Sequence, residues 1–267
     1  MMRIAAGVEY CGAEFSGWQT QSGQRTVQAC VESAISSVAD HPVEVQCAGR
    51  TDAGVHAVHQ VIHFDTTARR EPRSWVLGAN TKLPADINLL WVLPVGDDFN
   101  SRFSAVSRHY KYLILNRPVR SALNSRILTY ERHPLDVDRM AEAALDLVGE
   151  HDFTSYRAVS CQARSPVRHI KRLEISRLGE LVIIDVEANA FLHHMVRNLA
   201  GVLMAIGKGD EPVSWAKQVL EAKDRTAGGV TAVADGLYLV EVCYEPGFNI
   251  PRLDKGMKIL DRYGLLY

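Results

Sequence analysis

No apolar run in this sequence approaches the roughly 20 residues that a membrane-spanning helix requires, so no such span is expected. The start lacks a basic region followed by a long apolar stretch, so no secretory leader is expected either. Cysteine is sparse and odd in number. Cys11, Cys30, Cys47, Cys161 and Cys243 are scattered with no C-x-x-C pair. That pattern excludes a disulfide framework and a zinc ribbon, and it suits free thiols in a reducing cytoplasm. Also missing are G-x-S-x-G, the P-loop and G-x-G-x-x-G, which removes the commonest hydrolase, nucleotide and dinucleotide signatures. The zinc deaminase pattern ending in P-C-x-x-C is absent as well.

The chain has 267 residues, of which 47% are apolar, enough for two ordinary domains with their own cores. Lys+Arg 30 against Asp+Glu 31 leaves a net charge of -1. A protein that coats nucleic acid over its whole surface is excluded by that balance. A local basic groove is not.

The element order is informative. Arg3–Tyr10 reads as a strand, and Thr26 as the cap of a helix whose apolar positions Val27, Cys30, Val31, Ala34, Ile35 and Val38 recur at helical spacing. Strands over Val43–Ala48 and Val58–Phe64, a helix over Arg73–Lys82 and a strand over Ile87–Val95 complete a β-α-β-β-α-β unit, the ferredoxin-like order. The second half repeats this order with one extra helix. Its strands are His109–Leu115, Val167–Leu178, Glu180–Ala190 and Leu237–Tyr244, and its helices are Val137–Val148, Leu192–Ile206 and Val213–Ala222. The expected fold is therefore α+β, with two ferredoxin-like (RRM-like) domains at 1–105 and 106–267. Their antiparallel sheets are expected to join, with the active cleft between them. The segment after Pro246, with Lys255, Lys258 and Arg262, is expected to be an appended element or lid.

Chemistry concentrates in Gly49-Arg50-Thr51-Asp52-Ala53-Gly54-Val55-His56. A short loop between two core strands presents a carboxylate and an arginine. The plain alternative is a turn in which Asp52 bonds its own backbone. Histidines cluster at His56, His59 and His63 and again at His193-His194, but without zinc-like spacing, so no metal is expected. Arg197 lies four residues after His193 in the expected Leu192–Ile206 helix, on the same face. A carboxylate held by an arginine stays ionised even when buried, and it can then serve as nucleophile or base.

Charge is uneven despite the neutral total. From Phe99 to Tyr130 there is no acid, yet Arg102, Arg108, Lys111, Arg117, Arg120 and Arg126 lie there. From Phe153 to Leu173 there is again no acid, beside Arg157, Arg164, Arg168, Lys171 and Arg172. Such stripes suit phosphate contacts. The interleaved Tyr110, Tyr112, Phe153 and Tyr156 offer stacking faces for unpaired bases. The alternative is an ordinary surface neutralised by acids from elsewhere in the fold.

Taken together, the motifs are similar to those of the bacterial tRNA pseudouridine synthase A family. The resemblance runs over nearly the whole chain: Phe15-Ser16-Gly17-Trp18-Gln19, Arg25-Thr26-Val27-Gln28, Ala48 to His56, Phe99 to Ala105, Arg108-His109-Tyr110-Lys111-Tyr112, Phe191 to Asn198, and Gly236-Leu237-Tyr238-Leu239. It implies isomerisation of uridine to pseudouridine at tRNA positions 38, 39 and 40 in the anticodon stem-loop, with no cofactor or metal, by a cytoplasmic homodimer. It implies Asp52 as the catalytic aspartate, Arg197 as its basic partner, and Tyr110 as the tyrosine that stacks on the target base. Substrate contacts are expected from Arg50, His56, Arg108 and Arg168 in addition to Tyr110. Whether Asp52 attacks C1′ or C6, or assists proton loss at C2′, stays open. The rival reading is a non-catalytic RNA-binding protein of two RRM-like modules. A glycoside hydrolase would need a second carboxylate about 5–10 Å from the first, and only one acid stands out.

Overall fold

A computed structural model describes residues 1–252 of the chain. The expected tail element carrying Lys255, Lys258 and Arg262 lies outside these residues. The elements run β1 (Met2–Tyr10), α1 (Val27–Ala39), β2 (Gln46–Cys47), β3 (His56–Thr66), α2 (Pro72–Asn80) and β4 (Ile87–Val95). They continue with β5 (Ala105–Asn116), β6 (Thr129–Glu131), α3 (Val137–Leu145), β7 (Gly149–Asp152), β8 (Val167–Leu178), β9 (Leu181–Ala188), α4 (Met195–Lys208), α5 (Trp215–Ala222) and β10 (Leu237–Tyr244). The mix is α+β, with mostly antiparallel strand pairing.

Two compact units divide the chain. One takes Met1–Val106 with the segment from Tyr238, and the other takes Ser107–Leu237. In the first unit β1 lies between β4 and β3, antiparallel to both, and β2 pairs with β3. With its two helices this is the β-α-β-β-α-β order read from the sequence. The core forms where α1 turns Val27, Val31, Ala34 and Ile35 inward and α2 adds Trp75, whose ring meets Phe64 edge-on at 5.4 Å. The strand expected over Val43–Ala48 is only two residues long, Gln46–Cys47, paired with Ile62 and His63 of β3, although Val43, Val45 and Cys47 are all buried.

The second unit's sheet is antiparallel in the order β5-β9-β8-β7, with β6 parallel to β5. The inner residues of β9, Val182, Ile184, Val186 and Ala188, are fully buried, as are Leu199, Leu203 and Ile206 of α4 and Met140 and Ala143 of α3. Burial of this kind contributes about 25 cal/mol per Å² of apolar surface, the main term holding each unit together.

The closing strand is shared between the two units' residue ranges. From Tyr238 onward the chain groups with the first unit. Tyr238 pairs with His56 in parallel register and their rings stack at 4.6 Å. Further along, the Tyr244 hydroxyl donates to the Ser101 carbonyl at 2.7 Å, and its ring lies 5.2 Å from that of Phe99. Element order could not reveal this, because a strand's partner is set by side-chain contacts far away in sequence.

Candidate active site

In the first unit the Asp52 loop is not a free-standing turn. Its backbone is tied to the preceding Gly12–Arg25 segment. Trp18 N donates to Thr51 O at 3.0 Å, and Gly54 N donates to Phe15 O at 3.3 Å. Gly17 makes this approach possible. It sits at φ +93, and a Cβ there would lie 2.9 Å from Thr51 O. From below, the Tyr10 and Thr51 hydroxyls share a buried hydrogen bond of 2.8 Å. Gln60 of β3 donates to Gly49 O at 2.6 Å. Held at both ends, the loop leaves Asp52 partly exposed and Arg50 exposed. Val55 N donates to Asp52 O, so the backbone turn is made by main chain.

The histidines of β3 are structural in their visible contacts. His56 accepts from Gly12 N at 3.1 Å and stacks on Tyr238. His59 accepts from the Trp91 indole at 2.8 Å. His63 accepts from Ser101 N at 3.1 Å, and burial, aided by Arg3, pushes its pKa below the ordinary histidine value. All three are buried. Trp18 is likewise buried, with its ring 5.9 Å from Tyr10.

In the second unit, Tyr110 lies on β5 and is 8% exposed, its ring edge-on to Phe191 at 5.0 Å. Arg108, on the same strand, donates to Asn189 O at 2.9 Å. Phe191 and Asn189 both belong to the connection from β9 to α4, which therefore organises this corner. Arg168 begins β8. It donates to Ser165 O and Val167 O, and burial lowers its pKa. Arg197 sits in the first turn of α4, and its Nε donates to Ala232 O at 2.8 Å.

Three expectations are corrected here. The helix begins at Met195, not Leu192, because His194 adopts φ 62, a left-handed backbone that breaks helical continuity. His193 therefore precedes the helix and does not share a helical face with Arg197. Tyr112, Phe153 and Tyr156 are not stacking platforms. All are fully buried, Tyr112 donating to Val233 O and Tyr156 to Ala216 O at 2.8 and 2.9 Å. The basic stripes are partly neutralised. Asp185 of β9 binds His109, Lys111 and Arg172, while Arg117 meets Glu180 and Lys171 meets Glu187. Acids brought across by β9 and the turn before it make part of the stripe an ordinary ion-paired sheet face. Arg102, Arg120, Arg126 and Arg164 remain exposed.

Sequence reasoning missed Tyr10, Thr51, Asn198 and Arg225, which fix the backbone around Asp52 and Arg197. Thr51 stood inside the motif, and its hydroxyl beside the carboxylate was the available signal. Tyr10 gave none, since its partner Thr51 is far away in sequence, and Arg225 gave none, since an arginine carries no mark of the loop carbonyls it binds.

A carboxylate loop locked from two sides, on an α+β scaffold bearing exposed arginines, suits an enzyme better than a passive RNA-binding module. The chain belongs to the tRNA pseudouridine synthase family, an isomerase family whose model matches residues 6–104 and 143–245. It is 56% identical over 258 residues to tRNA pseudouridine synthase A of Nitrosococcus oceani, covering 97% of this chain and 100% of that protein. It is 58% identical over 251 residues to the protein of the same name from Methylococcus capsulatus, covering 94% of this chain and 93% of that one. Against the Alcanivorax borkumensis protein, also tRNA pseudouridine synthase A, identity is 55% over 252 residues, with 94% of each covered. Among the described residues no helix is long and apolar enough to cross a membrane.

Proposed function

We propose that this chain converts uridine to pseudouridine at positions 38, 39 and 40 of tRNA, with Asp52 as the catalytic carboxylate. The observation that carries the reading is the Asp52 loop itself. Contacts from β1, β3 and the Gly12–Arg25 segment fix its backbone and leave the carboxylate partly exposed. Arg197 is its basic partner. Tyr110 stacks on the target base, and Arg50, His56, Arg108 and Arg168 contact substrate or shape the walls of the site. A uridine within a stem-loop must leave the stack before its glycosidic bond can be reached.

The reaction balances without a co-substrate. The N1–C1′ bond breaks, the ring turns, a C5–C1′ bond forms, C5 loses its proton and N1 gains one. No electrons are exchanged with an outside group, so the reading needs no metal and no cofactor. Asp52 acts at C1′ or C6 as nucleophile, or at C2′ as base. We place the enzyme in the cytoplasm, in keeping with five unpaired cysteines. We also infer a homodimer, since an L-shaped tRNA is large beside one such chain. Incubation with an unmodified tRNA transcript, followed by carbodiimide labelling of pseudouridine, tests the activity. Product confined to the anticodon stem-loop supports it, and a transcript that binds but stays unmodified returns the RNA-binding module.

A further inference from the structure

Arg197 is held by a strap of chain that runs from Gly228 to Val233. Its Nε donates to Ala232 O, and Ala232 N donates back to Arg197 O at 3.1 Å. The Nε bond orients the guanidinium group, and the backbone bond fixes the strap against α4. The strap lies directly on α4: a Cβ at Gly201 would fall 2.1 Å from Val230 O, so only glycine admits the contact. At the far end, Val233 O accepts from Tyr112, two residues after Tyr110 on β5.

One side chain gathers the strap. Arg225 donates to Gly228 O and Gly229 O, and its Nη2 reaches Thr231 Oγ1 at 2.8 Å and Asn198 Oδ1 at 3.1 Å. Asn198 is the helix neighbour of Arg197 and is 3% exposed. It also accepts from Thr231 Oγ1 at 2.7 Å and donates to Tyr156 O at 2.7 Å. Arg225 thus ties strap and helix together on either side of the Arg197–Ala232 contact. A guanidinium group offers several N–H donors in a fixed plane, which an ammonium cannot reproduce.

We propose that Arg225 is a positioning residue for the pseudouridine-forming reaction. It clamps the 228–232 strap so that Ala232 O aims the guanidinium of Arg197. The proposal rests on the reading of Arg197 as the partner of Asp52. A group that must meet a carboxylate needs its rotamer fixed by a supporting shell, and a displacement of about 1 Å can cost 10²-fold in rate.

The test is a double-mutant cycle on single-turnover pseudouridine formation, using a uridine-containing anticodon stem-loop. Arg225→Lys should lower the rate about tenfold with KM changed less than about twofold, since orientation and not affinity is lost. In an Arg197→Lys background, where no Nε–H remains to meet Ala232 O, Arg225→Lys should cost less than about twofold. Thr231→Val, which removes the hydroxyl's bonds with Arg225 and Asn198 and no charge, should show the same dependence if Arg225→Lys fails to fold. Equal losses in both backgrounds would make Arg225 merely structural and overturn the proposal. An unchanged rate for Arg225→Lys would overturn it too. Full turnover by Arg197→Lys alone would instead reject the role of Arg197, a failure visible before Arg225 is touched.

Discussion

The hydroxyl of Tyr10 lies 2.8 Å from that of Thr51, in a buried hydrogen bond between the first strand and the residue that precedes Asp52. Trp18 N holds the Thr51 carbonyl from the other side at 3.0 Å. The carboxylate thus projects from a backbone fixed by two segments that are not its neighbours in sequence.

Tyr10→Phe removes that bond and keeps the ring. A buried hydrogen bond contributes about 1 kcal/mol, and the unsatisfied Thr51 hydroxyl costs about as much again. We expect a loss of about 1–2 kcal/mol in urea unfolding, and a fall of about tenfold in turnover with RNA affinity retained. Thr51→Ser, which keeps the hydroxyl, should stay close to wild type. Equal turnover for Tyr10→Phe and wild type would show that the loop does not depend on this contact.

Acid should loosen the first unit through His63. Its Nδ1 accepts from Ser101 N and so must be unprotonated in the folded state, and burial keeps its pKa low. Unfolding restores a pKa of about 6.5. The unfolded chain therefore binds more protons, and stability falls as pH drops below about 6.5 toward the lowered folded value. The urea midpoint should be lower at about pH 5.5 than at about pH 7.5, and His63→Gln should narrow the gap. An identical gap in the variant would assign the acid sensitivity to other groups.

Asp185 is the hub of the second unit's charged sheet face. Burial alone would raise its pKa, but hydrogen bonds and charge from His109 and Lys111 hold it far below the usual carboxylate range. With Arg172 at 2.8 Å, three side chains depend on it. Asp185→Asn leaves them without their anion, and breaking a buried pair in this way costs about 3–5 kcal/mol. Thermal unfolding should show a much larger drop than for Glu180→Gln, whose partner Arg117 is a surface pair worth about 0–1 kcal/mol. Similar drops would mean the hub is not cooperative.

Salt should weaken RNA binding, because phosphate contacts release counterions. The corrected charge map predicts which residues carry the slope. Arg120→Gln or Arg126→Gln should each reduce it by about 1, whereas Lys111→Gln should leave it nearly unchanged. A loss of slope on Lys111→Gln would show that its ion pair with Asp185 opens on the RNA.

Much of this architecture could be read from the chain. The apolar spacing of Val27, Val31, Ala34 and Ile35 gave α1, and the order of elements gave the first unit's topology. The Asp52 motif and its family resemblance were equally visible, since they are local strings. What stayed hidden was non-local. The attachment of the strand after Leu237 depends on Tyr238 meeting His56, and the neutralised stripe depends on Asp185 arriving from β9. His194 looked helical because a histidine carries no marker of a positive φ. The clamp of Arg225 on the 228–232 strap joins residues whose types, taken singly, suggest only a polar loop.

The most direct test of the account is single-turnover pseudouridine formation by Asp52→Asn on a uridine-containing anticodon stem-loop. The substitution keeps size and hydrogen-bonding capacity and removes the charge that nucleophilic or basic chemistry requires. Folding and RNA affinity should survive while no pseudouridine forms. Wild-type turnover in the Asp52→Asn variant would contradict the account and leave the carboxylate loop without a catalytic role.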